Sequence, residues 1–328
     1  MTHAVVTGGR GFVGSHLVDC LLERGDRVTV FDTGRRVSPP DGRSPGVRVV
    51  TGDIRDVDGL ASVITEDVDI VYHLAAVVGV DRYLSAPLDV IDTNFIGTRN
   101  VLEQASRVGA RVILASTSEV SGMNPSVPWT EDADRILGST SINRWSYSSS
   151  KALAEHLTFA FIRQRGLDAS IVRYFNLYGP RQRPAFLISR TVHRCLNGLA
   201  PVVYDDGRQT RTFTSVHDAV AATVRVGDGG AAVGECFNIG NSTEMTVREA
   251  VELVVELTGS TAGITSIDTG ASFGETYQDL GRRVPDTTKL KSLVGARCDT
   301  SLREGVTRLV EWASEHPWWL ELEDDSPA

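Results

Sequence analysis

The chain has 328 residues, 41% hydrophobic and 23% charged, an ordinary composition for a soluble globular protein with a sizeable core. A net charge of −9 without a long basic run argues against a nucleic-acid partner, and no apolar run approaches the ~20 residues that would span a membrane. Cys20, Cys195, Cys236 and Cys298 are scattered with no C-x-x-C, and read as reduced thiols of a cytoplasmic protein; no metal site is expected.

Ala4-Val-Val-Thr7 reads as a short buried strand that passes into Gly8-Gly-Arg-Gly11-Phe12-Val13-Gly14 and then into an amphipathic helix, Ser15 to Arg24. Because that first apolar run passes straight into a glycine-rich turn, it is not expected to be a signal peptide. Gly8, Gly11 and Gly14 fit the dinucleotide fingerprint in its G-x-x-G-x-x-G form, and Phe12 and Val13 between them are further cofactor-binding candidates. Such glycines allow a tight turn and close approach of backbone to a pyrophosphate, and the helix N-terminus offers N–H groups to it. A second strand, Arg27-Val-Thr-Val-Phe-Asp32, ends in an acid placed for a ribose 2′-OH. That favours NAD over NADP, although Arg35 and Arg36 follow closely and could meet a 2′-phosphate.

Further strand ends continue the pattern. Val47 to Ile54 carries Asp53 and Ile54 at its tip, placed to meet the adenine. Asp69 to Ala76 ends in Leu74-Ala75-Ala76, small enough for close approach of a cofactor. Ala110 to Thr117 is another strand, and helical stretches near 55–65, 87–107 and 148–165 separate them. The alternation predicts an α/β fold, a doubly wound parallel Rossmann sheet with a smaller C-terminal sugar-nucleotide-binding α/β lobe. Residues 1–176, with a returning piece near 212–242, form the expected cofactor domain; 177–211 and 243–318 form the lobe, and 319–328 a frayed acidic tail. His16 and His73 lie in packed segments and read as structural histidines.

Tyr147 and Lys151 are spaced i, i+4, so a helix puts both on one face. An ammonium beside a phenol stabilises the phenolate and lowers a pKa that is otherwise near ~10. Alone, such a pair is more often a solvated helix face than a proton relay. It gains weight from its company. Thr7-Gly-Gly-x-Gly-Phe-Val-Gly14, His73-Leu-Ala-Ala76, Asn94-x-x-Gly-Thr98, Ser116-Thr-Ser-Glu119, Tyr147-x-x-x-Lys151 and Arg173-x-Phe-Asn176-x-Tyr-Gly-Pro-Arg181 occur in order.

This series resembles the extended short-chain dehydrogenase/reductases that act on nucleotide sugars, over nearly the whole chain. The resemblance implies a tightly held NAD, with Asn94 and Ser116 at the cofactor and Lys151 on its nicotinamide ribose. It also implies Thr117 beside Tyr147 at the sugar 4-OH, Asn176 at the phosphates of a UDP-sugar, and a homodimer through a helix bundle that includes the Tyr–Lys helix. Within the family, Thr-Ser-Glu at 117–119 resembles UDP-glucuronate decarboxylases and GDP-mannose dehydratases; epimerases commonly carry a small residue at the Glu119 position. The run Tyr277-Gln-Asp-x-x-x-Arg283-x-Pro and the preceding Arg144-Trp-x-Tyr147 resemble the decarboxylase that makes a UDP-4-keto-pentose. By that likeness Tyr277 lines the sugar pocket, Arg283 meets the carboxylate or phosphates, and Ser118 faces the substrate. Ser121 departs from the tyrosine common in Glu-Val-Tyr-Gly.

An acidic protein needs a local basic cluster to hold a diphosphate, and Arg181, Arg211 and Arg283 are the candidates, since guanidinium forks match phosphate and carboxylate. Glu119 and a substrate carboxylate repel unless the acid is protonated or a cation intervenes, and Arg283 is the expected cation. The leading expectation is an NAD-dependent UDP-glucuronate decarboxylase. A nucleotide-sugar 4-epimerase, a 4,6-dehydratase and a non-catalytic NAD-binding sensor are the alternatives.

Overall fold

The computed structural model describes residues 1–34, 46–268 and 281–324. Its strands are β1 (His3–Thr7), β2 (Arg27–Asp32), β3 (Val47–Thr51), β4 (Ile70–His73), β5 (Arg111–Thr117), β6 (Ala169–Tyr174), β7 (Leu177–Tyr178), β8 (Val202–Tyr204), β9 (Thr210–Thr212), β10 (Thr214–Ser215), β11 (Cys236–Ile239), β12 (Glu244–Thr246) and β13 (Thr265–Ile267). The main helices are α1 (Phe12–Glu23), α2 (Val57–Ala61), α3 (Val80–Ser85), α4 (Pro87–Asp92), α5 (Thr98–Val108), α6 (Arg144–Arg165), α7 (Leu187–Leu196), α8 (Val216–Asp228) and α9 (Val247–Thr258).

Seven strands form one sheet in the order β11-β6-β5-β4-β1-β2-β3, with every adjacent pair parallel. The chain runs outward from β1 to β3, then returns to the other side of β1 as β4. That reversal opens a crevice beyond the carboxyl ends of the strands, where such sheets hold ligands. Apart from the exposed edge strand β3, both faces are covered, so the inner strands are apolar on both sides. Ala4 and Val6 pack with Leu17 and Leu21 of α1 and with α8, while Val5, one residue out of phase, packs with Val101 and Leu102 of α5 and Phe161 of α6.

The remaining strands make three small ribbons. β7 pairs with β10 in parallel, β8 with β13 in parallel, and β9 with β12 antiparallel. The last two join 177–211 to 243–267, the two expected pieces of the lobe. Its core gathers Ile188 and Val192 of α7, Ala250 and Val254 of α9, and Leu309 from the helix Leu302–Glu315.

Two boundaries differ from expectation. Leu290, Ala296 and Cys298 pack into the core under the large sheet, so the helix Thr288–Val294 packs with that sheet, within the stretch 243–318 expected to form the lobe. The tail is docked at least to Asp324: Trp319 is fully buried and Asp324 pairs with Arg194 at 2.6 Å. The apolar Trp-Trp-Leu at 318–320, not the acids after it, decides how that segment sits.

Candidate active site

The glycine loop is shaped by contacts that exclude a side chain. A Cβ on Gly14 would lie 2.1 Å from the Gly8 carbonyl oxygen, and one on Gly8, at φ +72°, 2.7 Å from the Ala75 nitrogen. α1 opens at Gly11 without a side-chain cap, so its first N–H groups point into the crevice beside β1. Asp32 sits buried at the tip of β2 and accepts from the backbone N–H groups of Arg10 (3.1 Å) and Gly34 (2.9 Å). A bare cradle, an uncapped helix and an acid at the ribose position fit a dinucleotide. Leu74 and Ala75 follow β4 and are fixed by Thr7, whose carbonyl accepts from Leu74 N–H and whose hydroxyl accepts from Ala75 N–H. Ala76 continues that half-buried segment.

Other expected cofactor residues are engaged elsewhere. Asp53 folds back on Arg55, accepting its backbone N–H and its guanidinium at 2.7–3.0 Å. Ile54 is in the core and fills the space beside Gly97. Asn94 is fully buried in a π-helical turn, where its amide bonds to both backbone groups of Val77 and to Ser150. It positions the loop after β4 against α6 rather than presenting an amide to a ligand. Ser116 donates to Glu155, which also takes two bonds from Arg173 at 2.9 and 2.7 Å. Ser116 is therefore part of a buried ion pair that clamps β5, β6 and α6. His73 bonds Thr7 and Thr98, and burial lowers its pKa to about 3; His16 bonds the Pro180 carbonyl. Arg35 and Arg36, and likewise Tyr277, lie outside the described residues.

α6 delivers Tyr147 and Lys151 on one face, both buried. The expected activation of the phenol by the ammonium is not what the geometry gives. Lys151 Nζ donates to the Ala115 carbonyl at 2.8 Å, and burial lowers its pKa to about 8 against a smaller opposing pull from Glu155. Burial, reinforced by the charge on Glu119, pushes the Tyr147 phenol above its ordinary range; a hydrogen bond with Thr117 and the charges of Arg283 and Arg144 oppose this. The acidifying partners of the phenol are thus a hydroxyl and two guanidiniums.

Glu119 is the second residue of a short 3-10 turn after β5, Ser118–Ser121, whose N-terminus is capped by Thr117 Oγ1, which accepts from Glu119 N–H at 3.2 Å. Its carboxylate meets Arg144 at 2.6 Å and Arg283 at 3.6 Å. Burial would raise its pKa, but Arg144, Arg283 and Arg211 prevail and hold it below its ordinary value. Glu119 is therefore an anion, and Arg144 is a nearer counter-charge than the expected Arg283. Arg283 is buried with its Nε unpartnered, and its Nη1 reaches Asn176 Oδ1 at 3.3 Å. Asn176 takes a left-handed backbone, φ 37°, and donates to the Thr212 carbonyl. Ser118 Oγ is buried and unpartnered.

Of these groups Glu119, Arg144, Asn176, Arg211 and Arg283 line, together with Arg190, a cleft of ≈ 250 Å³ between the large sheet and the lobe. Four guanidiniums against one carboxylate leave a local surplus of three positive charges in a chain of net charge −9. Arg181 is not among them; at φ 68° it turns to Asp19 of α1, 2.6 Å away. In its place stands Arg190 of α7, buried, with its guanidinium 5.2 Å from the Tyr204 ring centre. Sequence reasoning missed Arg190 and gave Arg144 no role. Arg144 lies three residues before Tyr147, so one helix face carries both, and Arg190 is a cation on the apolar side of an amphipathic helix.

Comparison with known proteins agrees with this geometry. A UDP-N-acetyl-alpha-D-glucosaminuronate decarboxylase of Bacillus cytotoxicus is 37% identical over 321 residues, 95% of this chain and 97% of that one. UDP-glucuronic acid decarboxylase 2 of Arabidopsis thaliana is 38% identical over 316 residues, 94% of this chain and 67% of that one. Among solved structures, UDP-glucose 4-epimerase of Thermotoga maritima with UDP-glucose matches with a TM-score of 0.87 at 29% identity, covering 96% of this chain and 99% of that one. The dTDP-glucose 4,6-dehydratase DesIV of Streptomyces venezuelae, solved with NAD, matches with a TM-score of 0.87 at 32% identity, covering 98% and 99%. The profile of the NAD dependent epimerase/dehydratase family matches residues 4–240, and the chain belongs to that family.

Proposed function

We propose that the chain is an NAD-dependent decarboxylase of a UDP-uronic acid, with UDP-glucuronate as the substrate and the 2-acetamido sugar of the Bacillus relative as the closest variant. The observation that carries this reading is the ionised Glu119 set among Arg144, Arg211 and Arg283 in the cleft beside Tyr147. A UDP-uronate brings a diphosphate and a carboxylate, and the cleft's surplus of guanidiniums suits that charge.

NAD, which the Gly8–Gly14 loop would hold and Asp32 would favour over NADP, would supply hydride acceptance at sugar C4, and the C4 ketone makes the C5 carboxylate a β-keto acid. Tyr147 takes the 4-hydroxyl proton as the phenolate, the form that the Thr117 hydrogen bond and the charges of Arg283 and Arg144 favour against burial and Glu119. Lys151 keeps a positive charge under that site through neutral pH. Arg283 turns its unpartnered Nε to the substrate's carboxylate or phosphates, with Asn176 beside it. When the C5–carboxyl bond breaks, carbon dioxide leaves and the electron pair passes to the C4 oxygen as an enolate, to which Tyr147 and Thr117 donate. Glu119, being anionic, orients a water for protonation at C5 rather than giving a proton of its own.

A homodimer and a cytoplasmic location belong to the same reading. Leu88 (75% exposed) and Ile91 of α4, Ile96 of the π turn and Leu153 of α6 form an exposed apolar face near the Tyr–Lys helix. Among the described residues no helix is long and apolar enough to cross a membrane, and the four cysteines are unpaired. Incubation with UDP-glucuronate and NAD, followed by assay of carbon dioxide and a pentose nucleotide, tests the activity. A C4 epimer that keeps its carboxyl would replace the reading with the epimerase one.

A further inference from the structure

Glu119 has two arginines within reach, and they are not equivalent. Arg144 contacts Oε2 at 2.6 Å, whereas Arg283 stands 3.6 Å from Oε1 and divides its Nη1 with Asn176. Arg144 is 4% exposed, and its guanidinium is held by Tyr83, whose hydroxyl is 3.3 Å away and whose ring centre is 5.5 Å away, and by the Trp145 ring at 5.6 Å. Aromatic faces on a guanidinium restrict it to one plane. Arg283 comes from the separate segment at 281–286, which is pinned to Trp129 by two backbone bonds, and it keeps a buried donor unspent.

We propose that Arg144 is a positioning residue for Glu119: its bond to one carboxylate oxygen fixes the direction and ionic form of the acid, and leaves Arg283 for the substrate's anionic groups. The arrangement couples two parts of the reaction. Arg144 opens α6 one turn before Tyr147, so the helix that presents the phenol also sets the acid. Two carboxylates, one from the protein and one from the substrate, then have two cations, and neither must be neutralised by a proton. The groups facing Glu119 are Arg144 and Tyr147 of α6, Arg283, Arg211 of β9, and Tyr83 of α3. Without Arg144, burial works against the anion with only the more distant Arg283 and Arg211 to oppose it.

This deepens the decarboxylase reading and rests on it for the role of Glu119 in turnover, so the test has two arms. Difference infrared titration between Arg144→Gln and the double variant Arg144→Gln/Glu119→Gln isolates the Glu119 carboxylate, and the same difference in the wild-type background gives its reference. The expected result is an upward move of the Glu119 titration by about 1–3 pH units in Arg144→Gln, the range one nearby arginine spans for a carboxylate. Arg144→Lys should restore part of it and serves as the folded control. The acid limb of carbon dioxide release against pH should move with the infrared titration, and Arg144→Gln should cost little more once Glu119 is already Gln. An unmoved infrared titration overturns the proposal whatever the catalysis does. So does a rate loss in Arg144→Gln that is the same at every pH. A wild-type enzyme that releases no carbon dioxide while the titration moves would instead sink the decarboxylase reading and leave the hold of Arg144 on Glu119 standing.

Discussion

Replacing Glu155 by Leu removes the acid at the centre of the clamp beneath the active site. Glu155 takes bonds from Arg173 Nε and Nη2 and from Ser116 Oγ, and both charged partners are buried. Each charge-assisted bond contributes about 1.5–3 kcal/mol. Three are lost, two of them from Arg173, which keeps its bond to the Glu131 carbonyl. The expected cost is about 3–5 kcal/mol, the range for stranding one member of a buried pair. Glu155→Leu with Arg173→Met removes both charges and should recover most of that loss. Urea unfolding of the two single variants and the double variant closes the cycle. Tyr147 and Lys151 lie on the same helix just before Glu155, so the double variant should fold yet turn over more slowly, because α6 has lost its tie to β5 and β6. A single-variant cost below about 1 kcal/mol, or a double variant as unstable as the sum of the singles, would refute the clamp.

Tyr147→Phe should keep the fold and lower turnover by about 10²–10⁴-fold, as loss of a proton-transfer group does; retained turnover would remove the phenol from the chemistry. Glu119→Gln should still reduce bound NAD with UDP-glucuronate but slow the protonation at C5 that follows loss of carbon dioxide, read as NADH absorbance that persists; equal slowing of NAD reduction would place Glu119 in oxidation instead. Gly14→Ala puts a Cβ 2.1 Å from the Gly8 carbonyl oxygen and should yield protein without NAD, measured by the cofactor content of the purified chain; normal content would contradict the cradle. Lys151 has its pKa lowered from 10.5 to about 8, so its positive charge is present below pH 8 and lost above it. Turnover that depends on that charge should fall as pH rises through about 8, and a rate that stays level well into alkaline pH would show that the charge is not needed. The same shift makes the folded chain bind fewer protons than the unfolded one between those values, so the contribution of Lys151 to stability rises with pH there.

What the sequence revealed and what it hid have different physical origins. The glycine cradle, Asp32 and the shared face of Tyr147 and Lys151 are local: fixed spacings on one strand–turn–helix or one helix determine them. Ionic partnerships are not local. Arg181 was expected at a diphosphate, but its left-handed backbone aims it at Asp19, 162 positions away in the chain. Lys151 was expected to acidify Tyr147, yet the end of β5 puts the Ala115 carbonyl under the ammonium. Ser116 and Asn94 were expected at the cofactor, and tertiary packing turned them to Glu155 and to Val77. Arg190 was hidden because a buried cation on α7 has meaning only once α7 is known to face the cleft. Thr288–Val294 could not be assigned to the large sheet before β11 was in place beside it.

The central claim is that oxidation at C4 is followed by loss of the C5 carboxyl. UDP-glucuronate labelled in that carboxyl, incubated with the purified chain and NAD, decides it in one reaction. The account predicts label released as carbon dioxide with formation of a UDP-pentose or its 4-keto form. Label retained in a UDP-hexuronate inverted at C4 would contradict it.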